Sequence, residues 1–151
     1  MIGEPRIRVG ALLTHGDAVL LLSQEKGGRA YWMLPGGGVE VGESLHVALA
    51  RELEEECGLT GVTLTGPIAI AESIAPAGTH PRKHVVHVLF HGDLSERSLE
   101  AVASRDSVVR GHQLVGRTDI GSIDLRPPIH RFIERWRSGD PFVHLGELWS
   151  R

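Results

Sequence analysis

The sequence predicts an α/β or α+β sandwich, on three observations. Apolar segments of strand length alternate with turn residues through much of the chain, a Gly- and Pro-free stretch carries leucines four apart, and a proline-led apolar stripe follows near the C-terminal end. The 151 residues suit one domain, taken as 1–151, because domains most often hold roughly 100 to 150 residues around a single core. No internal repeat or low-complexity tract interrupts it.

Arg6 to Thr14 and Ala18 to Gln24, joined by His15-Gly16-Asp17, read as a β-hairpin. Lys26 to Arg29 makes a turn, Tyr31 to Leu34 a short strand, and Pro35-Gly36-Gly37-Gly38 a break that neither helix nor strand easily continues. From Ser44 to Cys57 the chain reads as a helix, with Leu45, Leu49 and Leu53 on one stripe and Gly58 as its C-cap. Val62 to Glu72 and His84 to Phe90 read as strands flanking a loop, Ala75 to Arg82, whose length suggests a substrate-facing segment. Gln113 to Val115 is a further candidate strand. Pro127-Pro128 with Ile129, Phe132, Ile133 and Trp136 predicts a second helix, and the tail after Gly139 is expected to be irregular.

Composition excludes several classes. Hydrophobic residues at 41% and charged residues at 23% are those of a folded, water-soluble protein. A net charge of −3 and a pI near 6.3 supply no overall basic field for a polyanion, so no polymeric nucleic acid partner is expected. Apolar runs such as Val9 to Leu13 are shorter than the roughly 20 residues a bilayer requires, and no cationic segment precedes a signal-like core. A cytoplasmic protein without membrane contact is expected. The single cysteine, Cys57, excludes an internal disulfide and a multi-cysteine zinc site.

One segment is chemically unusual: Gly36-Gly37-Gly38, then Glu43, then Arg51-Glu52-Leu53-Glu54-Glu55-Glu56-Cys57-Gly58-Leu59. On a helix Glu52, Glu55 and Glu56 stand at i, i+3 and i+4, so they emerge on one face while Glu54 points elsewhere. Like charges at this spacing destabilise a helix, and negative charge near its C-terminus opposes the macrodipole. A cation would compensate, and hard carboxylate oxygens suit Mg²⁺ or Mn²⁺. An acidic helix is often only a solvated face, but such a face does not require a preceding triple glycine. Gly37 and Gly38, lacking side chains, let the backbone approach a metal or a phosphate of the substrate.

These residues match the pattern G-x5-E-x7-R-E-U-x-E-E-x-G-U, with U bulky and apolar, at every fixed position from Gly37 to Leu59. Gly37, Glu43, Arg51, Glu52, Leu53, Glu55, Glu56, Gly58 and Leu59 all fit, and Leu34-Pro35-Gly36 resembles the usual lead-in. In this the chain resembles the Nudix (MutT-like) hydrolases. The resemblance implies an αβα sandwich with a central mixed sheet and a Mg²⁺-dependent pyrophosphohydrolase, with Mn²⁺ as an alternative ion. It also implies that Glu52, Glu55 and Glu56, with the main-chain carbonyl of Gly36, hold the divalent ions while Arg51 and Glu43 orient them. Arg51 also has the simpler reading of an i, i+4 partner for Glu55.

Many family members supply a further carboxylate from a loop well after this box. The stretch Ser95 to His112 offers Glu96, Glu100 and Asp106, and alignment on Leu114-Val115 favours Asp106 as the downstream base; otherwise a box carboxylate must serve. His84 lies on the strand face opposite to His87 and His91, which are about 13 Å apart by strand rise, so one zinc ion cannot bridge them. Trp32 and Tyr31 stack on a nucleobase or pack in the core, with neither favoured. Arg82, with Lys83 and His80, contacts substrate phosphate or is a solvated basic loop.

The substrate implied is a small nucleotide, a nucleoside diphosphate linked to another group. Pro76, a little beyond the box, leans toward ADP-ribose, whereas the short chain leans toward modified nucleoside triphosphates. The alternative class is a catalytically silent Nudix-fold nucleotide-binding module. Such relatives usually lose box carboxylates, and none is missing here. A Ca²⁺-binding structural protein is disfavoured by the lack of a D-x-D-x-D-G loop. A homodimer is left open.

Overall fold

The computed structural model describes residues 3–103 and 108–149. Strand β1 (Arg6–His15) turns through Gly16, at a left-handed φ of 57°, into the antiparallel β2 (Ala18–Lys26), and β3 (Arg29–Met33) returns along β2. A short strand β4 (Gly36–Gly38) precedes helix α1 (Leu45–Cys57). Then follow β5 (Thr65–Ile74), β6 (His84–Asp93), a short helix α2 (Glu96–Glu100), β7 (Gly111–Gly116), a 3₁₀ turn (Arg117–Ser122), helix α3 (His130–Arg135) and β8 (Val143–Leu148).

These strands form one sheet in the order β3-β2-β1-β6-β5-β8, with β4 beside β1 and β7 beside β2. The β1–β6 and β5–β8 pairs are parallel and the others antiparallel, so the sheet is mixed, as expected. Strand alternation sends side chains into two cores. Val9, Ala11, Leu13, Leu20, Leu22 and Phe90 pack with Ala48, Leu49, Leu53 and Cys57 of α1. On the opposite face Leu12, Val19, Leu21 and Leu89 pack with Ile129, Ile133 and Trp136 around α3. Each fully buried leucine contributes about 2 kcal/mol, several times a helix propensity difference, so these two layers hold the helices to the sheet. Among the described residues no helix is long and apolar enough to cross a membrane.

Helix α1 begins and ends where its sequence signals lie. Ser44 accepts a hydrogen bond from the Val47 N–H at 3.1 Å, and Gly58 adopts φ 66°, donating to the Glu54 carbonyl while Leu59 donates to that of Leu53. Its C-terminal end is also tied to β7, where His112 Nε2 donates to the Glu56 carbonyl at 2.7 Å.

Four elements depart from the sequence expectations. Gly36–Gly38, expected as a break, is a strand, because β1 offers Arg8, Val9 and Gly10 as ladder partners. The strand expected from Val62 begins at Thr65, and its register against β6 shifts between Thr65 and Ala69, where Pro67 has no N–H to donate. The second helix has six residues, with Ile129 as its cap, so the two prolines stand before it rather than in its first turn. The tail after Gly139, expected to be irregular, contains β8, which gains its ladder from β5, distant in sequence.

Gly58→Ala tests the helix end. A left-handed alanine costs about 1 kcal/mol, and its Cβ would meet the Ala103 carbonyl at 2.9 Å. A fall of roughly 2–4 °C or more in Tm is expected by calorimetry; an unchanged Tm would show that the cap relaxes at no cost.

Candidate active site

The glycine strand lies against the last two turns of α1. The Gly36 N–H donates to Glu56 Oε1 at 2.7 Å, which accounts for a carboxylate with 3% exposure. A Cβ on Gly36 would collide with the Val9 carbonyl, and one on Gly37 with the Glu52 carboxylate. Gly37 does not adopt positive φ, so its constraint is close approach alone.

Arg51 organises the carboxylates. Its Nε and Nη2 grip both oxygens of Glu43 at 2.8 Å, Nη1 donates to Glu52 Oε1 at 2.9 Å, and Nη2 also donates to the Gly38 carbonyl at 3.1 Å. Glu55 stands 3.6 Å from Nη1, so the i, i+4 contact and the bridge to Glu43 coexist in one guanidinium. The Arg51 fork, with the Glu40 N–H, holds the Glu43 carboxyl down at about 2. Glu52 shifts the other way, because burial outweighs its bond to Arg51. Arg51 is raised above its ordinary value, chiefly by Glu43.

Glu52, Glu55 and Glu56 leave one helix face, as expected, yet their carboxylates point to different partners. Glu52 is held by Arg51 and Glu56 by Gly36, while Glu55 is half exposed. Among the described residues no three of His, Cys, Asp and Glu stand close enough to ligate one ion as placed, since Glu52 and Glu56 bond to separate donors and Glu55 lies half exposed.

A cavity of about 510 Å³ opens on the α3 face of the sheet and reaches this box at Gly36. Apolar Leu34, Val85, Leu89 and Leu125 form its wall, and Arg8, Lys26, Lys83 and Arg126 bring positive charge, with no carboxylate in the described lining. The Arg126 guanidinium lies 4.6 Å from the ring centroid of Tyr31, another lining residue. His87, also in the wall, bonds through Nε2 to Ser73 Oγ at 3.0 Å, and burial lowers its pKa to about 4.

Several sequence candidates lie elsewhere. Trp32 packs against the α3-side core and pairs its main chain with that of Leu125, and Tyr31 rather than Trp32 lines the cavity. Arg82 donates Nε to the Ala75 carbonyl at 2.8 Å, bracing its own loop, and Lys83 is the residue of that pair in the cavity. His91 is buried against Thr14 and Trp136. Cys57 is in the core, where burial pushes its thiol up to about 12. Asp106 lies outside the described residues. Sequence reasoning missed Arg8 and Arg126, because the β1–β4 pairing that brings Arg8 to the site and the placement of Arg126 beside Tyr31 are both tertiary.

A mixed sheet between helical layers, with a carboxylate helix docked on a glycine strand, defines the class, and the NUDIX domain model matches residues 4–139. The chain belongs to the NUDIX domain family. It is 37% identical over 112 residues to the RNA pyrophosphohydrolase of Caulobacter vibrioides, a match covering 65% of this chain and 65% of that protein. Thus the chain spans just under two thirds of the length of that curated relative. Among solved structures it is similar to the MutT protein of Methanosarcina mazei Go1, with TM-score 0.68, 25% identity and coverage of 89% of this chain and 95% of that one. It also shares the fold of the MutT protein from Bacillus halodurans, with TM-score 0.71, 19% identity and coverage of 96% and 95%. The family generally uses divalent metal cations.

The Arg51–Glu43 bridge implies a pH dependence. The folded-state pKa of Glu43 lies below its ordinary 4.5, so its stabilisation is complete above about pH 4.5 and is lost as pH falls toward 2. Glu43→Gln should therefore lower Tm at pH 7 and give a shallower acid decline by circular dichroism. Parallel Tm curves for variant and parent across that window would refute the assignment.

Proposed function

We propose that this chain is a Mg²⁺-dependent pyrophosphohydrolase, with Mn²⁺ able to substitute, that cleaves a nucleoside diphosphate linked to another group. The carrying observation is that the carboxylate face of α1 and the cation-lined cavity meet at one strand, β4. A substrate with its nucleoside in the cavity has its diphosphate beside the box.

The residues present fit a divalent ion. The donor set is hard oxygen from Glu52, Glu55 and Glu56, with the Gly36 carbonyl as the fourth expected ligand, and Gly37 leaves clear the space that a Cβ would take from the Glu52 carboxylate. Rotating the Glu55 and Glu56 side chains is enough to gather them, because all three share one turn of helix. When bound, the ion neutralises phosphate charge and acidifies a water.

Arg51 fixes the rotamer of Glu52 and is itself fixed by Glu43, so the pair position ligands without touching substrate. Arg8, which pairs with Gly38 across the β1–β4 ladder and lines the cavity, meets the phosphates between box and nucleoside. Water attacks a phosphorus of the diphosphate, the bridging P–O bond breaks, and a nucleoside monophosphate leaves with the remainder of the substrate. The complete box supports catalysis over silent binding. The Caulobacter relative is named an RNA pyrophosphohydrolase, which adds RNA to modified nucleoside triphosphates and ADP-ribose as candidate substrates, against the sequence expectation of no polymeric nucleic acid partner.

A hydrolysis screen of these substrates with Mg²⁺ in heavy-oxygen water tests the reading. Nucleoside monophosphate with label in one phosphate product is expected from the small nucleotides; release of inorganic monophosphate alone from a triphosphate would contradict it. Glu55→Gln and Glu56→Gln should each reduce turnover by orders of magnitude with little change in Tm, since in the second variant the amide oxygen can still accept from the Gly36 N–H. Unaltered turnover in either would remove that residue from the ligand set.

Gly37→Ala separates a packing constraint from a flexible link. The added Cβ must displace Glu52, so both Tm and Mg²⁺-dependent turnover should fall. A variant as active and as stable as its parent would sink the steric reading, because a flexible glycine replaced by alanine is neutral or slightly stabilising.

A further inference from the structure

The wall of the cavity holds one feature that phosphate binding does not use. His87 and Ser73 are polar side chains set among Leu34, Val85 and Leu89, and they bond to each other through His87 Nε2. Among the described residues His87 Nδ1 has no hydrogen-bond partner, although the ring is half-buried. Nδ1 is not among the described buried polar atoms that lack a partner, so it is accessible from the cavity, where the polar group of a ligand can bond to it.

Register supplies the distance. Gly38, Arg8 and His87 lie side by side on β4, β1 and β6, as the pairs Arg8↔Gly38 and Arg8↔His87. Two strand spacings separate His87 from the glycine strand, about 10 Å. Phosphates beside the box and Arg8 therefore leave the ribose to span the gap and the base to arrive at His87. The apolar wall suits the faces of a base, and a neutral imidazole can bond to its hydrogen-bonding edge.

We propose that His87, oriented by Ser73, is a specificity-determining residue that reads an uncharged hydrogen-bonding edge of the substrate's nucleobase. This rests on the nucleoside lying in the cavity, as in the function proposed above, but not on hydrolysis. The Ser73 Oγ bond to Nε2 holds the ring in place, so that Nδ1 presents a single hydrogen-bonding group to the base edge. Discrimination then comes from the presence or absence of the base's polar group. Burial keeps the ring neutral to about pH 4, so the selection holds across the physiological range.

The test measures Kd for ATP, GTP, CTP, UTP, purine riboside triphosphate, 2′-deoxy-GTP and ADP-ribose in Ca²⁺ by calorimetry. The parent, His87→Leu, His87→Gln and Ser73→Ala are compared, each checked for an unchanged Tm. The parent should prefer one base over the unsubstituted purine by about tenfold or more. His87→Leu should erase that preference, Ser73→Ala should reduce it, and His87→Gln, which keeps a hydrogen-bonding group, should retain part of it. A leucine variant with the parent's ranking, a parent indifferent to the base, or a loss in His87→Leu that follows the 2′-hydroxyl instead would each overturn the proposal. Selective binding by a parent that hydrolyses neither these nor the modified nucleoside triphosphates and RNA of the screen above in Mg²⁺ would refute the pyrophosphohydrolase reading and leave the base reader standing.

Discussion

A side chain on Gly37 would occupy the space that the Glu52 carboxylate fills, and this close approach of strand and helix governs the site. It brings the Gly36 N–H within 2.7 Å of Glu56 and the Gly38 carbonyl within 3.1 Å of Arg51. Each contact ties a box residue to main chain that is fixed in turn by its ladder to β1. The helix is held in that position by Leu49 and Leu53, whose stripe adjoins Glu52 and Glu56 on the buried side of α1.

Arg51 makes the crowding tolerable. One guanidinium meets Glu43, Glu52 and Glu55, and its planar fork satisfies the first through two parallel bonds. Glu43 and Glu52 consequently answer in opposite directions: Glu43 is lowered by its hydrogen bonds, and Glu52 is raised by desolvation. A lysine has no fork to reproduce that geometry.

Charge is distributed unevenly over the molecule. The net charge of −3 hides a cavity whose described lining holds Arg8, Lys26, Lys83 and Arg126 and no carboxylate, beside a helix end rich in glutamate. Such a juxtaposition favours an anion that approaches in company with a cation. Lys26 and Lys83 come from strand ends and Arg126 from the segment before α3, so the basic lining exists only once the sheet has brought β2, β6 and that segment together.

The sequence by itself determined what local geometry carries: the β1–β2 hairpin, α1 with its Ser44 and Gly58 caps, the shared face of Glu52, Glu55 and Glu56, and the family. These follow from periodicity, capping chemistry and a motif contained in one contiguous segment. Tertiary structure alone decided the rest. Gly36–Gly38 became a strand because β1 supplied partners, and the tail became β8 because β5 did, and neither partner is visible in the segment itself. Tyr31 rather than Trp32, and Lys83 rather than Arg82, line the cavity, and that depends on where the cavity opens, which neither segment encodes. Arg8, Ser73, His87 and Arg126 come from distant parts of the chain, and their meeting is a product of strand order, which no spacing within a single segment encodes.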